Sequence, residues 1–203
     1  MYIPSTNLMN NKAEIVEFMQ RFSFATIITA KEQLPVATHL PFIVKFENEE
    51  ITLISHFARA NNHWKDIESS KVLVIFSEPH AYISPSNYEK ETNVPTWNYI
   101  SVHAYGKGEL LTDIHATAEV LENTIDTYET AYRKQWNNLP EDYRLKLMKG
   151  IVAFQIKVTD LQGKEKLSQN RSNTEKLAII STLSKSEDSN ERIIAEYMTG
   201  LKP

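Results

Sequence analysis

The feature that most constrains the fold is a succession of short apolar runs joined mostly by short polar segments. These runs are rich in β-branched and aromatic residues, which is typical of strands, and they cover 24–30, 34–46, 51–55, 71–78, 80–84 and 96–111. Most of the links are too short to hold a crossover helix. Neighbouring strands are therefore expected to pair antiparallel, as in a β-barrel, and not as a doubly wound parallel sheet.

Helical patterns surround these strands. Apolar residues at helical spacing predict helices over 10–22, 61–69, 114–134, 140–148, 173–184 and 190–199, and a further strand is expected over 150–161. The predicted organisation is a barrel domain over 1–162, with an inserted helical segment at about 113–149. A polar loop and C-terminal helices over 163–203 are expected to pack on this barrel.

The composition excludes several classes of function. The chain of 203 residues contains no cysteine, so disulfides, thiolate zinc sites, iron–sulfur clusters and cysteine nucleophiles are ruled out. Its formal charge of −4 argues against a broad nucleic-acid surface. Apolar runs fall short of the roughly 18 residues that span a bilayer, and no signal peptide is recognisable. We therefore expect a cytoplasmic protein with no membrane partner.

The common nucleotide and hydrolase motifs are missing. The sequence holds no Walker A loop, no G-x-G-x-x-G, no G-x-S-x-G and no H-E-x-x-H. His56 and His63 are seven residues apart, which does not place two ligands on one helix face. Four histidines on predicted strands or their ends could converge on a metal, but separate hydrogen bonds explain each of them more simply. No metal site is predicted.

Four polar or aromatic segments could hold a ligand. They are "ATHLPF" with Thr38 and His39, "SHFARANNH" (55–63), "KEKLSQNRS" (164–172), and "TWNYISVHAYG" (96–106). Strand alternation places the aromatic residues of the last segment on one face. Hydroxyl, amide and cationic donors suit a phosphate, and an aromatic face suits a flat ring, so a mononucleotide-like ligand is one interpretation. Other interpretations remain open. Thr38 and His39 could be ordinary strand residues, the aromatic residues could belong to the core or a dimer interface, and 164–172 could be a solvated loop.

Five segments together resemble a known family. "ATHLPF", "SHFARANNHW", "FSEPHAYISPSNY", "VPTWNYISVHAYG" and "KEKLSQNRS" are similar, in order and spacing, to the PaiB-type FMN-binding negative transcriptional regulators, over about residues 1–198. That family is related to the split-barrel flavoproteins, which include pyridoxine phosphate oxidase and bind FMN between the subunits of a homodimer. The resemblance implies an α+β fold: an antiparallel, Greek-key-like FMN-binding split β-barrel with peripheral and C-terminal helices.

The same resemblance implies a set of FMN-binding residues. Thr38 and His39 would lie beside the flavin ring, as would Trp97 and Asn98, with Ser101 and His103 on the strand that follows. The ribityl phosphate would be approached from the third strand and the segment after it. The implied residues there are Ser55, His56, Arg59, Asn61 and His63. The segment 164–172, which we call the late polar segment, would contribute from the same or the partner subunit. Its implied residues are Lys166, Ser168, Gln169 and Asn170.

The family implies a homodimeric repressor linked to sporulation and protease production, so a regulator is more expected than an enzyme. Direct DNA binding is poorly supported, because the predicted helices within 173–198 carry three basic and five acidic residues, the wrong balance for phosphates. DNA or a DNA-binding partner therefore remains open. The alternatives are a flavin-dependent oxidoreductase of unknown substrate, or a haem-handling split-barrel relative with a histidine ligand.

Overall fold

The computed structural model describes residues 1–200 and contains helices and strands in mixed order. Helices α1 to α6 and strands β1 to β8 follow one another along the chain as α1 Lys12–Arg21, β1 Phe24–Lys31, β2 Leu34–Pro41, β3 Ile43–Glu47, β4 Glu50–Ala58, β5 Lys71–Phe76, β6 His80–Ile83, β7 Thr96–Leu111, α2 Ile114–Tyr128, α3 Arg133–Asn138, α4 Glu141–Lys149, β8 Ile151–Lys166, α5 Asn173–Leu183 and α6 Ser189–Thr199.

The strands form an antiparallel sheet. Their order is β2-β1-β5-β7-β8-β4-β3, and β6 pairs with β7 outside this path. The ladders of β1 with β2 and β5, of β3 with β4, and of β4 with β8 are all antiparallel. The predicted α+β class with an antiparallel sheet is therefore confirmed. Among the helices of residues 1–200, none has the length and apolar character needed to cross a membrane.

One predicted strand is in fact two. The run 34–46 was expected to be continuous, but β2 ends at Pro41 and β3 begins at Ile43. These two strands lie at opposite ends of the strand order, so the chain must leave one ladder and enter another between them. Phe42 makes this change: its side chain is buried, and its amide donates to the carbonyl of Ser23 at 2.8 Å.

Two predicted helices are shorter than expected. The segment 61–69 contains only a 3-10 helix, Asn62–Lys65, and the long helix from residue 114 ends at Tyr128. Asp113 caps that helix by accepting from the amides of His115 and Ala116. Sequence periodicity predicts such elements better than it predicts their ends.

The described residues form two compact units. The first unit comprises Met1–Ile15, Ser77–Val102 and the chain from Gln162 onward, and the second comprises Val16–Phe76 and His103–Leu161. The predicted domain boundary at residue 162 remains a prediction. In the first unit, α5 and α6 bury apolar residues against β6. This core contains Ala81, Ile83, Ile179, Leu183, Ile194 and Ala195.

The second unit has an aromatic core. Phe42 contacts Phe76 and Phe154 edge-on, with ring centroids 6.0 and 6.2 Å apart, and Phe57 stacks on Phe154 at 4.7 Å. Gly106 of β7 lies so close to β8 that a Cβ there would be 2.3 Å from the carbonyl oxygen of Lys157. These contacts pack β4, β5, β7 and β8 of the second unit together.

Candidate functional site

A buried histidine organises the polar side chains of the second unit. His63 is 3% exposed and lies in the 3-10 helix Asn62–Lys65. Its Nε2 is 3.0 Å from the hydroxyl of Thr29, and its Nδ1 is 2.9 Å from the hydroxyl of Thr38. Asn61 donates to Thr38 at 3.2 Å and accepts from the His63 amide at 3.1 Å. We call Thr29, Thr38, Asn61 and His63 the histidine network.

The histidine network is internally satisfied. Both ring nitrogens of His63 and the side-chain amide of Asn61 already have partners, so a ligand that bound these atoms would have to replace hydrogen bonds of the protein. Burial lowers the pKa of His63, and the nearby carboxylate of Asp66 opposes that shift. The imidazole is therefore held neutral, and it links β1 and β2 to the turn after β4.

We expect the folded state to lose stability in mild acid because of this histidine. Its folded pKa lies below the usual histidine value of 6.5, so its stabilising contribution is fully present above about pH 6.5. The contribution is lost as the pH falls from there through the lower folded pKa, because the unfolded chain binds the extra proton first. The free energy of urea unfolding, measured at several values from about pH 8 to about pH 5, where histidine titrates, tests this effect.

His63→Gln is the control for this pH dependence. It should flatten the dependence of the unfolding free energy on pH without abolishing it, because burial also lowers the pKa of His56 and His103. A pH profile identical to that of the unsubstituted protein would contradict the assignment of a neutral, buried His63.

The other predicted residues of the second unit are placed separately. His39 bonds Thr26 across the β1–β2 ladder at 2.9 Å, and Ser55 donates to the carbonyl of Pro41 at 2.7 Å. His56 is partly buried on β4. The Nδ1 atom of His103 is buried and has no partner among the described residues. The structure therefore does not join these side chains into the histidine network.

Arg59 is held by backbone carbonyls. Its Nε donates to the carbonyl of Lys149 and its Nη2 to the carbonyl of Ile151, both at 2.7 Å. The family resemblance implied this guanidinium as a phosphate ligand, and that role remains a prediction. In this structure two of its nitrogens already bind the end of α4 and the start of β8.

A second group of polar side chains lies in the first unit, on the late polar segment and the start of β7. Lys166 Nζ donates to the hydroxyl of Thr96 and, at 2.8 Å, to the carbonyl of Trp97. Ser168 donates to the side chain of Asn98 at 3.0 Å, and both residues are buried. The predicted residues Trp97, Asn98, Lys166 and Ser168 are therefore brought together.

The charge of this group is not neutralised. Lys164 is 8% exposed, donates to the carbonyl of Tyr2 at 3.2 Å, and lies 5.1 Å from the ring centre of Tyr99. Burial lowers the pKa of Lys166, Tyr99 opposes that shift, and the nearby charges of Lys164 and Arg171 lower the pKa further. Within residues 1–200, neither lysine forms an ion pair with a carboxylate. We call Asn98, Lys164, Lys166 and Ser168 the lysine cluster.

The remaining residues of the late polar segment shape the turn after β8. Gln169 accepts from the Leu167 amide at 2.8 Å and donates to the Glu165 carbonyl at 2.7 Å. Ser168 adopts a left-handed backbone with φ 59°, and Asn170 is exposed. These bonds present the side chain of Ser168 to Asn98, while Asn170 remains in solvent.

Exposed aromatic rings lie on the β6–β7 ladder of the first unit. Trp97 and Tyr82 are 51% and 47% exposed. They face each other across the two strands, and their rings meet edge to face at 5.8 Å. The ring of His80 is also 5.8 Å from Trp97. Large exposed rings in contact are available to a flat partner.

The residue set implied by the resemblance omits four side chains that contribute here, although Thr96 and Lys164 lie in segments that the sequence marked as candidate ligand sites. Thr29 and Thr96 supply hydroxyls, Lys164 supplies a buried charge, and Tyr82 supplies a ring. A signal existed for Thr29, because strand alternation puts it on the same face as Ala25 and Ile27, which are buried. Nothing in the sequence indicates that its partner is His63, 34 residues away.

The lysine cluster fits a phosphate-bearing flavin. A phosphate needs cations, and the cluster offers two ammonium groups that no carboxylate neutralises. The hydroxyl of Ser168 already donates to Asn98, and the amide of Asn98 donates to the sulfur of Met198 at 3.5 Å, so a phosphate would have to replace these bonds to reach the two groups. The exposed indole of Trp97, whose carbonyl binds Lys166, suits a flat ring. The donor chemistry therefore matches FMN, a ring system that carries a phosphate.

Comparisons with known proteins agree with this chemistry. Residues 1–160 match the model of a family described as "Putative FMN-binding domain". The chain belongs to this FMN-binding family. Membership supports FMN as its cofactor. The chain is also 41% identical over 201 residues to Protease synthase and sporulation protein PAI 2 of Bacillus subtilis, covering 98% of this chain and 96% of that protein. This match confirms the PaiB-type resemblance.

Solved structures show the fold. A FAD and haem binding protein from Mycobacterium smegmatis superposes with a TM-score of 0.65 at 12% identity, covering 85% of this chain and 79% of that one. A flavocytochrome from Azotobacter vinelandii gives a TM-score of 0.60 at 17% identity, over 78% and 68% of the respective chains. The split-barrel fold predicted from the resemblance is thereby confirmed.

Proposed function

We propose that the chain is an FMN-binding regulator of the PaiB type, which acts as a negative regulator of transcription as a cytoplasmic homodimer. The proposal rests on membership of the FMN-binding family and on 41% identity along nearly the whole chain to a protein named for protease synthesis and sporulation. The observation that carries the flavin part is the lysine cluster, whose two ammonium groups have no carboxylate partner in residues 1–200.

The proposed flavin site uses residues of the first unit. Lys166 and Ser168 would bind the phosphate, Asn98 would fix Ser168, and Trp97 would lie against the ring. When bound, FMN supplies a ring that can accept and release electrons. The chain's own residues bind and orient it. Quenching of FMN fluorescence during titration tests this proposal, and an absence of quenching would contradict it.

A homodimer is supported by the exposed end of the sheet. Strand β2 ends the strand order, and Phe24 and Leu34 on the β1–β2 ladder are 69% and 68% exposed. An exposed edge strand with apolar side chains favours pairing with another chain. We expect the double substitution Phe24→Glu and Leu34→Glu to shift the protein toward the monomer, as measured by sedimentation equilibrium.

The matched control for the dimer is Leu177→Glu. Leu177 is 66% exposed on α5, so the substitution adds one negative charge, half of that in the double variant, at a similarly exposed leucine. It should leave the molecular mass in solution unchanged. A monomeric unsubstituted protein, or an equal shift in the control, would contradict the proposed β2 interface.

The regulatory part is proposed to act through a partner protein. Helices α5 and α6 and their connection carry more acidic than basic residues, which opposes contact with DNA phosphates. A gel-shift assay of promoter DNA at physiological salt should therefore show no complex with this chain alone. A retarded band that resists salt would show that the chain binds DNA directly.

A further inference from the structure

A cleft of about 390 Å³ in the second unit has no part in the proposed flavin site. It is lined by Arg59, Trp64, Leu111, Ile114, Met148 and Lys149, among others, and we call it the Arg59 cleft. Its volume falls within the roughly 300–1,000 Å³ that is typical of small-molecule pockets. None of its lining residues belongs to the lysine cluster.

The walls of the Arg59 cleft are mainly apolar. Leu111 ends β7, Ile114 begins α2, Met148 lies near the end of α4, and Val152 lies near the start of β8. The polar group of Trp64 already has a partner, because its indole N–H donates to the Arg59 carbonyl at 3.1 Å. The cleft therefore suits a ligand with an apolar body.

Thr117 also lines the cleft without offering a free donor. Its hydroxyl lies 3.1 Å from the carbonyl of Asp113. A ligand of many hydroxyl groups, such as a sugar, would find few partners on these walls.

The charge of the cleft is positive and fixed. Two carbonyl bonds of 2.7 Å hold the guanidinium of Arg59, so little side-chain freedom remains to be lost when an anion binds. Neither Arg59 nor Lys149 forms an ion pair with a carboxylate in the part of the chain that is described. A restrained, unneutralised guanidinium beside apolar walls is complementary to an anion.

We propose that the Arg59 cleft binds a small organic anion with one charged group and an apolar body, such as a medium-chain carboxylate. Arg59 pairs with the anionic group, and the apolar walls take the chain of the ligand. This goes beyond flavin binding and does not depend on it. It would give the proposed regulator a second site through which a small molecule could act.

Calorimetric titration with octanoate tests the proposal, with 1-octanol and octylamine as matched probes. We expect octanoate to bind at least about tenfold more tightly than 1-octanol, because a charge-assisted bond to arginine adds roughly that factor. Octylamine should not bind. Equal affinities for all three probes would overturn the proposal, as would no binding of octanoate.

Two substitutions locate the site. Arg59→Gln should reduce the affinity for octanoate to that for 1-octanol. The control Arg192→Gln also removes an arginine that donates to a carbonyl, that of Ser186 at 2.7 Å, and should change nothing. Ile114→Trp fills the cleft from a residue that is 38% exposed, and should abolish octanoate binding while FMN still binds. Unchanged octanoate binding by Ile114→Trp would overturn the proposal.

A competition experiment distinguishes the Arg59 cleft from the proposed flavin site. Saturation of the protein with FMN should leave the affinity for octanoate unchanged, and displacement of octanoate by FMN would place the flavin in the Arg59 cleft and overturn the proposal. If FMN fails to bind at all, the octanoate titrations still decide the matter by themselves.

Discussion

Lys166→Met is expected to weaken FMN binding by about tenfold to a hundredfold, since a hydrogen bond to a charged group contributes roughly 1.5–3 kcal/mol. Lys166 lies in the lysine cluster, without a carboxylate partner in residues 1–200, and it donates to Thr96 and Trp97. Methionine keeps an unbranched side chain that is one atom shorter, and it removes the charge. The measurement is the dissociation constant for FMN from fluorescence quenching.

The control for this substitution is Lys185→Met. Lys185 is an exposed lysine after α5, also in the first unit, so the net charge changes equally. FMN affinity should be unchanged in this variant. Equal losses in both variants would indicate a general electrostatic effect and would contradict a specific role for Lys166.

Gly106→Ala is expected to lower the free energy of unfolding by roughly 1–3 kcal/mol, the usual cost of overpacking. The new Cβ would lie 2.3 Å from the carbonyl oxygen of Lys157 and 2.6 Å from Cγ2 of Ile156. One of these atoms is backbone, so β7 and β8 must separate locally. Urea unfolding monitored by circular dichroism measures the loss.

Gly150→Ala is the matched control for Gly106→Ala. The nearest atom that its Cβ would meet is the carbonyl oxygen of Leu147, at 3.2 Å, so a small shift relieves the contact. We expect a clearly smaller change in the unfolding free energy. A loss of unfolding free energy in Gly106→Ala no larger than that in Gly150→Ala would contradict the close approach of β7 and β8 at Gly106.

The strands were predictable because their signal is local. Runs of β-branched and aromatic residues between polar turns identify β1, β5 and β7, and alternation identifies their buried faces. The sequence holds a signal for the break at Phe42, because the preceding Pro41 cannot donate to a strand ladder. The positions of β2 and β3 at opposite ends of the strand order were not predictable. No residue in 34–46 signals by itself which ladder it joins.

The candidate site was predictable where its members are close in sequence. The late polar segment was identified as a source of donors from its composition alone, and the structure joins Lys166 and Ser168 to Trp97 and Asn98. Long-range partners could not be inferred. The carbonyls that hold Arg59 are 90 and 92 residues away, and a backbone acceptor has no sequence signature.

The measurement that tests the central claim most directly is equilibrium dialysis of the purified protein against FMN, with the absorption spectrum of the bound fraction. The account predicts one FMN per chain, with flavin absorption bands, and retention that is lost in Lys166→Met but not in Lys185→Met. No retained FMN, or a Soret band of haem in place of flavin bands, would contradict it.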